Sequence, residues 1–470
     1  MLAGLVHPGY LDNASKWERT RDVVAGEDAV KDAGTKYLPR LDSQSDSEYS
    51  DYTTRAIFFN ASARTIDGFI GLIFRKPSIL TFDVSASQAH SFQDDLDLDG
   101  NGLNAYAKNV CNEILTLGRG GTLIDWNSAE SRPYFAFYSA ENILDWETIR
   151  IDGRPTLRRV LLRENAERIT HEEGPQQRRV AYERLRDVRI TNDGVSMETW
   201  EIVDGKWTLI TDAILSRQGK PLTRIPFVFH SANNIGPAIQ KSPIEDLVTV
   251  NLDHYRLSAD YRHGIHYTAL PTAWVAGFDK ESILRIGSGT AWVTEQTGAA
   301  AGYLEFTGQG LETFERALDR DERIMAVLGS RMLEQTKKVA ESAEAIRIRQ
   351  MAEGSLLAGI IVSVNQSLTK CFQWAAWWFG AADTPEKVDK SIALAELNLD
   401  YQTAGLTSME IIAIVQAWQT GALNREQMEG VFRQGELLPP RTGNEPPTTQ
   451  EHSINRNGST PNLAVNLNAN

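Results

Sequence analysis

Residues 242–264 read SPIEDLVTVNLDHYRLSADYRHG, residues 269–307 break short apolar runs with glycine, and residues 342–379 run without proline to the cluster WAAWWF. Ser242 precedes a proline at a first helical position, and Glu245 stands where it would close a capping box. Ile244, Leu247, Val248, Asn251, Leu252 and Tyr255 recur at three- and four-residue spacing, predicting one mostly apolar helix face as far as about Gly264. The runs Thr272–Ala276, Thr290–Val293 and Tyr303–Phe306 predict short strands joined by turns. Helical spacing returns at Leu311, Phe314, Leu318, Ile324 and Leu328, and a polar break with Lys337 and Lys338 follows Arg331. From about Ser342 to Phe379 the pattern predicts a rod on the order of 55 Å long, at ~1.5 Å per residue. Trp374, Trp377 and Trp378 cover more than one face of that rod and are expected in the core.

Outward from this stretch, residues 1–40 predict a short helix around Ala14–Val24 and a charged, glycine-containing loop, together an arm or peripheral strap. Ser45 and Glu48 form a capping box ahead of Tyr49, Tyr52, Ala56, Phe59, Ala63, Ile66, Ile70 and Ile73, a heptad stripe that predicts one helix ending before Pro77. Leu103, Ala107, Val110, Cys111, Ile114 and Leu117 predict another, stopped by Gly118 and followed by the strand Thr122–Trp126. Residues 133–230 are a series of short alternating or β-branched runs, and Asp152-Gly153, Asp193-Gly194 and Asp204-Gly205 are hairpin signals, so an antiparallel sheet is expected. Its many arginines are expected on the wet face. Two short helices are predicted beyond Asp383–Asp400, one from Thr407 or Ser408 to before Gly421, one from Asn424 to Gly435. The tail beyond Arg441 reads as disordered. The class is α+β.

The chain has 470 residues, 41% hydrophobic and 23% charged, enough for two or three packing units. Its two cysteines, Cys111 and Cys371, fall in predicted helices, which suits buried thiols in a reducing compartment. No basic segment followed by an apolar core opens the chain, and the greasiest run, Leu356–Val364, is far short of the ~20 residues a bilayer span needs, so no membrane partner is expected. A net charge of −14 argues against a protein that grips nucleic acid by phosphate neutralisation.

Several local patterns invite chemistry and fail on spacing. The aspartates of residues 94–102 suggest a calcium loop, but the twelfth position from Asp95 is Tyr106, not a glutamate. Gly118-Arg119-Gly120-Gly121 lies between helix and strand, the reverse of a phosphate loop, and lacks its lysine. His254, His263 and His266 lie within thirteen residues, and His263 and His266 could place two imidazoles on one helical face, but no third ligand of fixed spacing or nearby cysteine pair completes a zinc site. No nucleophile elbow, metalloprotease helix or Walker lysine is visible, so neither an enzyme nor a cofactor is expected.

The order helix, β insert, helix, polar loop, long helix resembles the central part of bacteriophage portal proteins, ring-shaped connectors through which a genome is packaged. The segments Arg55–Thr65 (RAIFFNASART), Phe74–Pro77 (FRKP), Gly118–Gly121 (GRGG) and Ala340–Ala345 (AESAEA) are similar to those of a portal group catalogued as a phage domain of unknown function. The resemblance covers roughly Lys36 to Pro440 and includes no catalytic motif. It implies an N-terminal arm (1–44), a mixed α/β wing (45–241), two stem helices (242–267 and 309–331) and a small β clip (268–308). A tunnel loop (332–341), a long wing helix (342–382), a helical crown (383–440) and a tail (441–470) complete the subunit. It further implies a ring of twelve subunits at the capsid vertex of the virion, assembled in the host cytoplasm. The partners would be the large terminase subunit, a head-tail adaptor, the major capsid or scaffold protein and duplex DNA. Arg331, Lys337 and Lys338 would face the DNA, with Asp319, Asp321 and Glu322 on the channel wall. Trp274, Phe278, Trp292 and Tyr303 would offer the clip to motor and adaptor. A non-viral oligomeric scaffold or adaptor, and a hydrolase whose site forms no local motif, remain as alternatives; a purified ring with a central hole separates them.

Overall fold

The computed structural model describes residues 6–151, 153–171, 177–269, 272–278, 292–293, 295–304, 310–331, 356–399, 408–419 and 422–434. They fall into two units, Met1–Asp400 and Tyr401–Asn470. The first unit begins with helices α1 (Pro8–Ala25), α2 (Glu27–Asp32), α3 (Asp46–Arg55) and α4 (Ala61–Ile73), strand β1 (Ile79–Phe82), and helices α5 (Ala89–Asp94) and α6 (Leu103–Leu117). Strands β2 (Arg119–Asn127), β3 (Arg132–Ser139), β4 (Ile143–Ile151), β5 (Arg154–His171), β6 (Gln177–Thr191), β7 (Gly194–Val203) and β8 (Lys206–Ile214) follow. After the two-residue strands β9 (Ser216–Arg217) and β10 (Lys220–Pro221) come β11 (Phe227–Ser231), helix α7 (Glu245–Ala269), strands β12 (Thr272–Ala276) and β13 (Ala300–Leu304), and helix α8 (Leu311–Arg331). Helix α9 (Leu356–Phe379) and strand β14 (Ala393–Glu396) close the unit. The chain is α+β, and every described strand pairing is antiparallel.

The core lies where α9 crosses the three-stranded sheet β11-β2-β3. α9 is apolar nearly all round because it is covered nearly all round: Leu357, Ile360, Ile361, Val364, Leu368, Phe372, Trp377 and Trp378 are buried. Phe372 meets Phe82, Phe92 and Phe135 at centroid distances of 5.8, 6.0 and 5.3 Å, edge-on, the geometry ring quadrupoles favour. Gly121 on β2 has no room for a side chain, since a Cβ there would overlap the Phe227 ring. A second sheet, in order β4-β5-β6-β7-β8, is built of sequential hairpins. At the β7–β8 turn Asp204 and Gly205 both take positive φ, 52° and 73°, as a type I′ hairpin requires.

Five expectations need correction. The stripe from Tyr49 to Ile73 is not one helix: α3 ends at Arg55, residues 56–60 are non-helical, and α4 restarts under an Asn60 cap. The break turns backbone groups toward α7, where Ile57 N–H donates to Ser258 Oγ (3.4 Å) and Phe59 C=O accepts from Asn251 (2.7 Å). The capping box at Ser242 does not form: Ser242 Oγ donates to Thr116 C=O (2.6 Å), and Glu245 pairs with Arg19 (3.2 Å). The N-terminal segment is no peripheral strap, because Trp17, Val23, Val30, Tyr37 and Leu38 are buried and His7 N–H bonds Leu144 C=O (3.0 Å).

The arginines of the β region do not all face water. Arg159 holds fully buried Asp187 through two bonds of 2.8 and 2.9 Å, and Arg186 links Asp125 (3.1 Å) to Glu164 (3.2 Å). Residues 383–399 do not open a separate helical part. β14 returns to pair with β1, Ile79 against Glu396 through Phe82 against Ala393, so the second unit starts only after Asp400.

That second unit contains α10 (Ser408–Gln419) and α11 (Arg425–Gln434) among its described residues. Leu423 N–H bonds Ala417 C=O (3.1 Å), and Asn424 and Gln427 cap α11 reciprocally at 2.7 and 3.0 Å. The expected tail beyond Arg441 and residues 342–355 of the expected 342–379 rod lie outside the described residues.

Candidate functional site

α7 has two halves with different jobs. Up to Ala259 it is a core helix: Leu247, Val248, Leu252, Tyr255 and Ala259 are buried, as is Ile244 just before it. Polar contacts lock this half in place. Tyr52 Oη donates to Asp260 Oδ1 (2.5 Å), Arg256 Nε donates to Tyr37 C=O (2.9 Å), and Asn251 clasps the 59–62 segment. Burial and the Asp260 carboxylate both push the Tyr52 phenol up, so it stays a donor. From Asp260 to Thr268 no described residue is buried, and none is buried in α8 before Asp321.

The outer half of α7 is covered along its length by α8, in antiparallel register, and beside its start by α3, whose Tyr52 ring meets His263 edge-on at 5.2 Å. Gly264 faces Leu311, Tyr261 Oη bonds Glu315, and His254 Nε2 lies 3.5 Å from Glu322. Gly264 does not end the helix, contrary to expectation. α7 continues to Ala269, and the helices come close here: a Cβ on Gly264 would lie 2.8 Å from Leu311 Cδ2, so the leucine would have to shift. At ~1.5 Å per residue α7 is about 37 Å long and α8 about 31 Å. The pair leads into the ribbon β12–β13, with Thr272 opposite Leu304 and Ala276 opposite Ala300.

On the ribbon Trp274 lies against Gly302, whose missing Cβ would sit 3.0 Å from the indole nitrogen. Tyr303 pairs with Ala273 and so occupies the other face. Both aromatics are exposed, whereas Phe278 and Trp292 are half-buried. A two-stranded ribbon with a large exposed ring on each side is marginal alone and suited to being covered.

Asp319 and Glu322 are exposed on α8, with Glu312, Glu315, Arg316, Arg320 and Arg323 around them in mixed sign. Asp321 is turned the other way and is buried against α7. Desolvation, then the neighbouring Asp253, raises its carboxyl above the usual range. Arg331 is the last residue of α8, and Lys337 and Lys338 lie outside the described residues. Thus the tip aromatics and the acidic residues sit on one helix-ribbon-helix unit, and of the expected DNA-facing residues only Arg331 belongs to its described part.

Sequence reasoning missed the buried polar groups. Asn251 stood inside the apolar stripe of α7, which was a usable signal. His230 gave none: its ring lies between Thr122 Oγ1 and Ser367 Oγ, both at 2.7 Å, and Tyr106 Oη extends the chain at 2.6 Å. A hydroxyl beside an imidazole invites a nucleophile reading. It fails here, because His230, Thr122 and Ser367 are fully buried and burial pushes the imidazole down to about 3.

The 243–379 stretch, from the start of α7 to the end of α9, matches a family model described as "Domain of unknown function (DUF4055)". No curated protein matches the chain. Among solved structures it is similar to a chain in the neck of an empty GTA particle computed with C6 symmetry, at 12% identity over 80% of this chain and 90% of that one, TM-score 0.37. A chain in the neck of a native GTA particle computed with C12 symmetry is 12% identical over 79% and 89%, TM-score 0.37. A chain in the virion of a native gene transfer agent particle is 12% identical over 89% and 100%, TM-score 0.38. These scores are too low to establish a shared fold.

Proposed function

We propose that the chain is the repeating subunit of a phage portal ring, through which double-stranded DNA is packaged and ejected at one capsid vertex. One observation carries this reading. An antiparallel helix pair leaves the core with no buried residue among the described residues of its outer parts, 260–268 and 311–320, and ends in a two-stranded ribbon bearing exposed Trp274 and Tyr303. In a ring, the pairs stand side by side as the stem around the bore. The ribbons form the clip, whose aromatics, with Phe278 and Trp292, are offered first to the terminase and then to a head-tail adaptor. The rest of the first unit is the wing that meets capsid or scaffold protein.

A closed ring needs two different complementary faces on each subunit. The mixed-sign outer surface of α8 supports the reading: its acids alternate with Arg316, Arg320 and Arg323, so a bore lined by it would neither hold nor repel phosphate strongly. Asp319 and Glu322 are the channel-wall carboxylates in this reading, and Asp321 is a packing residue. Lys337 and Lys338, with Arg331, make passing contacts with the DNA backbone from a loop after α8. The chain itself is a passive conduit of twelve copies, and a separate ATPase moves the DNA.

Negative-stain imaging of the purified full-length chain tests the reading. Rings with a central hole wide enough for a duplex are expected; a uniform population of monomers or dimers at all protein concentrations overturns it and leaves the scaffold reading.

A further inference from the structure

The five-stranded sheet ends in two open strands of equal length, β4 and β8, nine residues each. Among the described residues, no backbone hydrogen bond leaves the outer side of β8, or of β4 between Glu147 and Ile151. The β8 edge is also greasy. Leu209, Ile210 and Ile214 are 42%, 47% and 41% exposed, and Ile202 and Val203 at the end of β7 are exposed as well. Ile202 lies opposite Trp207 and Trp200 opposite Leu209, so these four side chains form one continuous strip on one face. Soluble sheets usually blunt such an edge with proline, inward charges or a covering element. β8 has no proline and only Lys206 and Asp212 for charge.

We propose that β8 pairs edge to edge with β4 of a second copy of this chain, so that the sheet continues from subunit to subunit. The proposal rests on the ring reading above and supplies its wing contact. A second copy is the occupant because the same sheet offers both halves of the junction: β8 at one end, β4 at the other. Such a contact is heterologous, the type that propagates around a ring. Charge agrees. Two copies each carrying −14 repel, so they meet best where each is locally neutral. The open part of β4 carries exposed Glu147 and Arg150, and β8 carries Lys206 and Asp212, one charge of each sign on either strand. Near the start of β4, His7 bonds Leu144 and stacks on Trp146 at 3.8 Å, which leaves the Glu147–Ile151 half for a partner.

Disulfide trapping on the full-length chain tests this. β4 and β8 are four strand spacings apart in one subunit, about 19 Å at ~4.8 Å each, beyond the ~7 Å Cα limit for a disulfide. Any bond between them therefore joins two copies. Cys111 and Cys371 are buried, with thiols pushed up by desolvation, and do not compete. Under mild oxidation, Thr148→Cys combined with Thr208→Cys, or with Thr211→Cys, is expected to give a ladder of covalent multimers on a non-reducing gel. Each single variant should run as a monomer. Leu209→Lys with Ile214→Lys, both at exposed positions, should raise the concentration needed for assembly at least tenfold.

Dimers from Thr208→Cys or Thr211→Cys alone would mean that β8 meets another β8 and would overturn the proposal. No ladder from either pair while images still show rings would overturn it and spare the portal reading; no ladder and no rings would sink both.

Discussion

Asn251 on α7 and Ser62 on α4, 189 residues apart in the chain, share a fully buried pair of hydrogen bonds. Asn251 Oδ1 accepts from the Ser62 backbone N–H at 3.1 Å and from its hydroxyl at 3.0 Å, while Nδ2 donates to Phe59 C=O at 2.7 Å. One side chain thus satisfies three groups at the break between α3 and α4. It also ties that break to the anchored half of the projecting helix.

Asn251→Leu should therefore cost about 3 kcal/mol, because it orphans buried backbone groups, whereas Ser62→Ala, which removes only one donor, should cost about 1 kcal/mol. Urea denaturation of the two variants measures this. Equal losses would show that the backbone contacts contribute little.

His230 predicts a pH dependence. Its folded pKa lies far below the ordinary value of 6.5, at about 3, because burial disfavours the charged ring. As pH falls, the unfolded chain takes up the proton first. Stability present above about pH 6.5 should be lost progressively down to about 3, at roughly 1.4 kcal/mol per pH unit from this group. Unfolding measured from about pH 7 to about pH 4 should show that slope, and His230→Gln should lose it. An unchanged slope in the variant assigns the effect to other groups.

Arg119 is the largest fully buried side chain of the molecule's described part, and no carboxylate faces it. Its guanidinium lies 4.1 Å from the Trp146 ring centroid and 5.0 Å from that of Phe229, and Nη1 donates to Pro237 C=O. Burial alone pushes its pKa down to about 9. Buried charge without an ion partner stabilises little, so Arg119→Met should leave stability within about 1 kcal/mol. Arg119→Ala, which opens a cavity, should cost about 3 kcal/mol or more. Thermal unfolding of both variants decides it; a large loss in the methionine variant would mean the cation itself is needed.

If Lys337 and Lys338 touch phosphate in the assembled ring, Lys337→Ala with Lys338→Ala should weaken DNA retention in filled heads. It should also flatten its salt dependence, by about 0.9 in the logarithmic slope for each phosphate no longer neutralised. Retention equal to that of the parent protein at every salt concentration would remove the lysines from the proposed role.

The elements most legible in the sequence were those whose signals are local. The β4–β5, β6–β7 and β7–β8 hairpins stand where Asp-Gly pairs mark them, and α10 and α11 end where Gly421 and Gly435 are near. The strand β14 was not legible, because four residues, Ala393–Glu396, become a strand only when β1, more than three hundred residues earlier, supplies the other half of the ladder. The heptad stripe misled for a related reason. Periodicity reports which residues could share a face, and the backbone of residues 56–60 found better partners in Asn251 and Ser258 than in its own helix.

Sequence alone determined that this chain alternates helical and β segments, carries excess negative charge, and sets a helix, a glycine-broken insert and a second helix in succession. Spacing, turn residues and composition carry that information without any long-range contact. Tertiary structure alone decided which side of each helix is left uncovered. That choice turns Asp321 inward and Asp319 outward, makes Gly264 a point of close approach instead of a stop, and leaves the outer edge of β8 unpaired among the described residues. Such outcomes depend on which surfaces meet across hundreds of residues, and burial, unlike propensity, is a property of the meeting.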